Sequence, residues 1–213
     1  MESQLINPWQ FDSSVAIDFA NYARRHIPNY DEVIDMSIDI CRDFDKSSKI
    51  IDVGCASGET ITRLSHAGFT NIIGIDNSSS MLEVCPTDIA TYINCNTYPD
   101  ISNVSVAIMN WTLHFISDKT NYLEKIYQSL DPGGYLVLSE KTSLNPEMIS
   151  KYHQFKRKMN VPDYEILEKE QQVKDIMFIN DPQWYLNTLR KIGFEEIHII
   201  NSSWCFNTFL SKK

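Results

Sequence analysis

The stretch Lys49-Ile50-Ile51-Asp52-Val53-Gly54-Cys55-Ala56-Ser57-Gly58-Glu59-Thr60 decides the fold. An apolar strand runs into an acid, then a turn of small residues, then a helix start. Farther on, Ile72-Ile73-Gly74-Ile75-Asp76 is a second apolar run that also ends in an acid. In this order the two segments describe the nucleoside-binding half of a doubly wound α/β domain. Such a turn brings backbone close to a ligand, and Gly54, Ala56, Ser57 and Gly58 leave room for that approach. Asp76 stands at a strand's carboxyl end, where a carboxylate accepts both hydroxyls of a ribose.

The same loop selects among cofactors. A dinucleotide fingerprint wants G-x-G-x-x-G, so that a pyrophosphate meets a helix N-terminus. Here Glu59 stands at the helix entrance, where its charge would repel a pyrophosphate. The loop resembles instead motif I of class I S-adenosylmethionine (SAM) methyltransferases. Their usual form is acid-x-Gly-x-Gly-x-Gly, and Ala56 stands at the middle glycine.

Outward from this motif the chain alternates strands and helices. Residues 11–25 and 30–44 read as two helices before the first strand, separated at Pro28. After the first strand come a helix at 59–67, a strand at 71–75, a helix from 79 to 84 and a strand at 91–95. Val104–Asn110 is apolar along most of its length, as a strand covered on both faces should be. Residues 118–130 form a helix with Leu123, Ile126, Tyr127 and Leu130 on one face. Asp131-Pro132-Gly133-Gly134 ends it, and 135–139 is a fifth strand. Residues 181–191 are a helix stopped by Gly193, and strands at 196–200 and 204–210 turn at Asn201-Ser202-Ser203. The whole chain, 1–213, reads as one domain, with 1–46 as an N-terminal helical lid and 141–180 as a helical insertion acting as a lid or dimer element.

At 213 residues and a formal charge of −9 the average surface repels phosphate backbones, so no direct nucleic-acid partner is expected. The basic run Lys151, Lys156, Arg157, Lys158 reads as a solvated helix face. The five cysteines show no metal-ligand spacing, which points to reduced thiols and no metal. Residues 1–10 lack the basic head and apolar core of a signal peptide, and no apolar run is long enough for a bilayer. A cytoplasmic enzyme with no membrane partner is the expectation.

Most of the chain resembles the carboxy-S-adenosylmethionine synthases, class I methyltransferase-like enzymes of bacterial tRNA wobble-uridine modification. The resemblance is carried by Ile27-Pro28-Asn29-Tyr30, Asp52-Val53-Gly54-Cys55, Ile75-Asp76-Asn77-Ser78, Met81, Asn110-Trp111-Thr112-Leu113, Leu138-Ser139-Glu140-Lys141, His153-Gln154-Phe155-Lys156-Arg157 and Trp204-Cys205-Phe206-Asn207. It implies a Rossmann-like fold with a mostly parallel seven-stranded sheet, an antiparallel last strand and helices on both faces. It also implies a homodimer and a small-molecule substrate. The cofactor-binding positions it implies are Tyr30, Asp52, Gly54, Cys55, Ala56, Gly58, Asp76, Asn77, Met81, Asn96 and Asn110, for SAM or carboxy-SAM.

Such enzymes convert SAM and prephenate to carboxy-SAM and phenylpyruvate, and hold the new carboxylate with an arginine between the lid helices and the final helix. The matching stretch here is Glu168-Lys169-Glu170-Gln171-Gln172-Val173, with Glu170 at that position and Lys169 beside it. Arginine offers a bidentate fork and lysine only a point charge. The leading expectation is therefore methyl transfer from plain SAM to a small molecule. The alternatives are carboxy-SAM synthesis, with Lys169 as a partial substitute, and a catalytically silent SAM-binding dimer subunit. Trp111 and His114 are the candidate catalytic residues. They border the expected methyl position, with His114 either a general base or an inert loop-edge histidine.

Overall fold

A computed structural model describes residues 8–143 and 145–213. Residues 1–7 of the expected N-terminal lid and residue 144 of the expected insertion lie outside them. The chain runs through α1 (Ser13–Ala16), α2 (Phe19–His26), α3 (Tyr30–Cys41), β1 (Ile50–Val53), α4 (Glu59–His66), β2 (Ile72–Asp76), α5 (Ser79–Leu82) and β3 (Thr91–Asn94). It continues with β4 (Val104–Asn110), α6 (Lys119–Ser129), β5 (Leu130–Lys141), α7 (Pro146–Lys158), α8 (Asp163–Val173), α9 (Pro182–Ile192), β6 (Ile197–Ser203) and β7 (Phe206–Lys212).

The seven strands form one sheet in the order β3-β2-β1-β4-β5-β7-β6. β1 through β5 pair in parallel, while β7 runs antiparallel to both β5 and β6. The chain starts at the centre, winds outward through β2 and β3, then returns to β4 on the other side of β1. That reversal opens a crevice beyond the carboxyl ends of β1 and β4, where open α/β sheets bind ligands.

Strand alternation builds the core on both faces. Ile51, Val53, Ala107, Met109, Leu136 and Leu138 pack with Leu123 and Ile126 of α6 and with Tyr185 and Leu189 of α9. Their sequence neighbours Ile50, Val106, Ile108 and Val137 pack with Ile34 and Ile38 of α3 and with Ile61 and Leu64 of α4. The central strands are buried on both sides, which is why they read as continuous apolar runs.

Four local readings change. The first expected helix breaks at Ile17 and Asp18 into α1 and α2. Asp131-Pro132-Gly133-Gly134 interrupts no strand. β5 begins at Leu130 opposite Val104 and resumes regular register at Tyr135 opposite Val106, with Gly133 at φ +80° absorbing the irregularity. The final hairpin does not turn at Asn201-Ser202-Ser203. Those residues pair with Thr208, Asn207 and Phe206, and the reversal falls at Trp204, which takes φ +51°. Lys141, expected in the insertion, is the last residue of β5.

Candidate functional site

The turn after β1 is shaped by packing within the protein. Gly54 has φ +72°, and a Cβ there would fall 2.0 Å from the Thr112 hydroxyl oxygen. Glycine is thus required twice, by the left-handed backbone and by the close approach of the loop after β4. The space beside Gly54 that a ligand was expected to claim is filled by Thr112. Ala56 takes φ +45°, and its N–H donates to Asp76 Oδ2 at 2.9 Å. Ser78 N–H donates to Asp76 Oδ1 at 2.8 Å. Two backbone donors therefore hold the Asp76 carboxylate at the tip of β2 while its remaining lone pairs stay open.

A cavity of about 540 Å³ spans the crevice. Its wall brings together Tyr30, Asp52, Gly54, Cys55, Ala56, Asp76, Asn77, Asn96, Asn110, Trp111 and His114. Gly58 and Met81 are not part of that wall. Gly58, at φ +83°, opens α4 against Pro86 and Cys85, and Met81 is fully buried. Asp52 Oδ2 and Asn110 Oδ1 are buried with no hydrogen-bond partner among the described residues. Buried polar atoms are rarely left so. Burial, and then the nearby Asp76 charge, pushes the Asp52 carboxyl up to about 7. A cationic ligand here would satisfy the orphan oxygens and restore the ionised form. SAM carries an ammonium and a sulfonium, so the donor set fits it.

Glu59 has a second role. Its carboxylate accepts from Arg24 at 2.9 Å and Arg63 at 2.8 Å, and both arginines also bind Asp31. The network ties α2 and α3 to the start of α4 and seats Tyr30 over the crevice. Tyr30 stacks on Trp111, with ring centroids 4.9 Å apart. Trp111 takes φ +57° directly after β4, a costly backbone for a bulky residue and one that clusters at functional sites. Beside it, His114 Nδ1 lies 2.7 Å from Glu140 Oε2, and Glu140 Oε1 accepts from Leu113 N–H at 2.8 Å. Both side chains are buried. A histidine oriented by a carboxylate can hold or move a proton at its other nitrogen.

Apart from Lys169 and Glu170, the far end of the cavity is built by residues to which the sequence reading gave no site role. Lys141, Tyr152, Lys156, Lys169, Glu170 and Phe206 line it, as does His26 from α2. Of the run read as a solvated helix face, Lys151, Arg157 and Lys158 are exposed, but Lys156 is 2% exposed. Its signal was available: Met148, Tyr152 and Phe155 share its side of α7 and form a small apolar cluster. Glu170 bonds His153 Nε2 at 2.5 Å, and the Lys169 ammonium lies over the Trp9 ring. Lys169, the expected partial substitute, and Glu170, expected at the arginine position, thus both line the cavity.

Comparison with known proteins agrees with this geometry. A family profile described as "Methyltransferase domain" matches residues 51–138. The structure of magnesium protoporphyrin IX methyltransferase from Synechocystis PCC 6803, with bound S-adenosylhomocysteine (SAH), superposes with a TM-score of 0.65. That match spans 93% of this chain and 95% of the other at 12% identity, a likeness of fold. The carboxy-S-adenosyl-L-methionine synthase of Hamiltonella defensa is 31% identical over 98% of this chain and 90% of its own length. That of Shewanella halifaxensis is 32% identical over 95% and 90%. The chain therefore belongs to the carboxy-S-adenosyl-L-methionine synthase family, as a SAM-dependent transferase on the methyltransferase fold.

Proposed function

We propose that this protein transfers a methyl group from SAM to a small molecule. One observation carries the choice within the family. At the position where the family resemblance implies a carboxylate-binding arginine, Glu170 stands in the cavity wall, bonded to His153 at 2.5 Å. A carboxylate on the cofactor would meet that acid without a bidentate cation, so plain SAM is favoured.

When bound, SAM supplies an electrophilic methyl on a sulfonium. The chain's own residues do the rest. Asp76 and Asn77 hold the ribose and adenine edges, and Asn96 lies alongside. Asp52 and Asn110 receive the cationic end. Tyr30 and Trp111 close over the reacting centre and exclude water, and alignment is the larger part of such a displacement. His114, oriented by Glu140, accepts the acceptor's proton.

A second reading is carboxy-SAM synthesis, the activity named for the relatives. It is favoured by Lys169, which reaches the cavity from the position beside Glu170. Incubation with SAM and prephenate separates the two. No carboxy-SAM or phenylpyruvate is expected, and robust turnover would hand the function to the synthase reading. In that assay Glu170→Arg should raise affinity for carboxy-SAM by roughly tenfold or more, the worth of one charged pair. We also infer a homodimer that uses 141–180, where Tyr164 and Leu167 of α8 are 71% and 59% exposed. Light scattering at micromolar concentration tests it, and monomer alone would refute it.

A further inference from the structure

Two thiols meet behind the turn that follows β1. Cys55 lies in that turn and lines the cavity, while Cys85 follows α5 and stands outside the wall. Both are buried and free. Cys85 Sγ donates to the Ala56 carbonyl at 3.1 Å, so its sulfur rests on the peptide next to Cys55. The Cys55 and Cys85 side chains are themselves in hydrogen-bond contact. Neither sulfur has much room to leave. Cys55 Sγ packs on the bare backbone of Gly74, where an added Cβ would fall 3.0 Å away. Cys85 packs on Gly58, where an added Cβ would fall 3.3 Å from its sulfur. Tyr92 donates to the Pro86 carbonyl at 2.8 Å and so fixes the chain just after Cys85. Within the pair, the hydrogen bond from Cys55 holds the Cys85 thiol below its usual range and gives it the larger thiolate share. The cover over Cys85 is thin, because Glu83, Val84, Thr87 and Asp88 are all exposed.

We propose that Cys55 and Cys85 form a redox modification site, a dithiol that hydrogen peroxide converts to a disulfide, and that this bond weakens the strand-tip end of the cavity. The Cys85 thiolate attacks one peroxide oxygen, breaks the O–O bond and becomes a sulfenic acid. The hydroxide released takes up the proton that Cys85 gave, which makes the first water. The Cys55 sulfur then attacks the sulfenic sulfur, and the sulfenic oxygen leaves with the Cys55 proton as the second water. Two thiols and one peroxide thus give one disulfide and two waters. A sulfenic acid with a thiol already in contact closes to the disulfide before further oxidation. The bond reaches the site through Ala56. That residue's carbonyl accepts from the Cys85 thiol, and its N–H holds Asp76 Oδ2 at 2.9 Å. Oxidation removes the thiol donor and draws the turn toward α5, which is a single helical turn. Asp76 then loses one of the two backbone donors that place it. The bond itself does not depend on methyl transfer, but its effect on binding rests on the reading of this cavity as the SAM site. By reciprocity, a cofactor that favours the reduced turn resists its oxidation.

The test is treatment of the reduced protein with hydrogen peroxide, followed by peptide mass spectrometry without reductant and by calorimetry with SAM. Cleavage before Asp88 separates Cys85 from Cys95 in the digest. Wild type should yield a peptide pair cross-linked through Cys55 and Cys85. It should lose SAM affinity by roughly tenfold or more, the worth of one charge-assisted hydrogen bond, and dithiothreitol should restore it. Cys85→Ser keeps a donor for the Ala56 carbonyl, so it should bind SAM as the reduced wild type does and keep that affinity in peroxide. Cys95→Ser should form the same cross-link as wild type, and saturating SAH should slow it. Absence of the cross-linked pair overturns the site, and so does sulfinic acid on either cysteine in its place. A cross-link that leaves SAM affinity unchanged overturns the coupling through Ala56. If the reduced protein fails to bind SAM while the cross-link forms and is lost in Cys85→Ser, the modification site stands and the transferase reading falls.

Discussion

The two ends of the cavity are made by different parts of the chain and carry opposite charge. The end proposed for the cofactor is made by strand tips: Asp52 near the end of β1 and Gly54 just after it, Asp76 at the tip of β2, Asn110 at that of β4. Its geometry is held by backbone donors and by glycine sterics, and it is acidic. The far end is made mainly by helices: Tyr152 and Lys156 from α7, Lys169 and Glu170 from α8, His26 from α2, with Lys141 from β5. It is held by side-chain stacking and burial, and it is mostly basic. A site on strand tips inherits precision from the sheet, while a site on packed helices can change its charges one residue at a time. Glu170, at the position where the resemblance implies an arginine, stands in that second kind of site.

The comparison breaks most visibly if the strand-tip end tolerates change. Gly54→Ala places a methyl group on Thr112 and forces a left-handed backbone on alanine. It should cost about 2–5 kcal/mol of stability, the sum of overpacking and backbone strain, and abolish SAM binding. Chemical denaturation and calorimetry read both. Thr112→Gly in the same chain should return the packing part and leave the backbone part. A fully stable Gly54→Ala protein would mean that the turn is not held as described.

Asp76→Ala comes next. It removes a carboxylate placed by the Ala56 and Ser78 N–H groups, and should weaken SAM binding by about 1–3 kcal/mol. The two backbone donors are left facing the cavity, where water reaches them, so stability should change less than affinity does. Unchanged affinity by calorimetry would remove Asp76 from the site.

The difference between the two ends also explains what could be read in advance. The order of strands, the acid-tipped β1 and β2 and the crevice between β1 and β4 follow from local runs and spacing. Asp52, Gly54, Asp76 and Asn110 could therefore be named from the chain alone. The far end has no such spacing. Lys156 sits in a basic run; its helical spacing from Met148 and Tyr152 hints at an inward face, and the packing of α7 against Phe206 and Trp111 decides it. The hairpin turn was misplaced for a related reason. Asn201-Ser202-Ser203 has turn chemistry, but pairing with β7 continues through it, and Trp204 takes the positive φ.

The helix-built end can be sharpened by pH. Burial lowers Lys169 to about 6 and Lys156 to about 8, with each further lowered by another lysine. Unfolded lysine titrates near 10.4. Between pH 7 and 9 the unfolded chain therefore holds protons that the folded chain has shed, and stability rises with pH. Asp52, raised to about 7, acts the other way but only between about pH 4 and 7. His26, lowered to about 4 by burial, opposes Asp52 over most of that range, so the alkaline window is the clean one. Wild type should gain roughly 1 kcal/mol per pH unit relative to Lys169→Met, discounted for the Trp9 face that favours the charged form. A few degrees of Tm per unit would report it. Parallel curves for the two proteins would mean that Lys169 is not buried.

The smallest effect separates one helix face from the other. Lys151 and Lys156 are five residues apart, which is about 140° around α7. Lys151 is exposed and Lys156 is buried over Tyr152. Lys151→Ala should therefore change stability by less than about 0.5 kcal/mol, as surface substitutions do. The contrast with Lys156→Met matters more than either number. Burial lowers Lys156 to about 8, below the ~10.4 of an unfolded lysine, so stability should rise between about pH 8 and 10 in the parent and in Lys151→Ala, and rise less in Lys156→Met. Equal slopes in all three proteins would place Lys156 in solvent like Lys151.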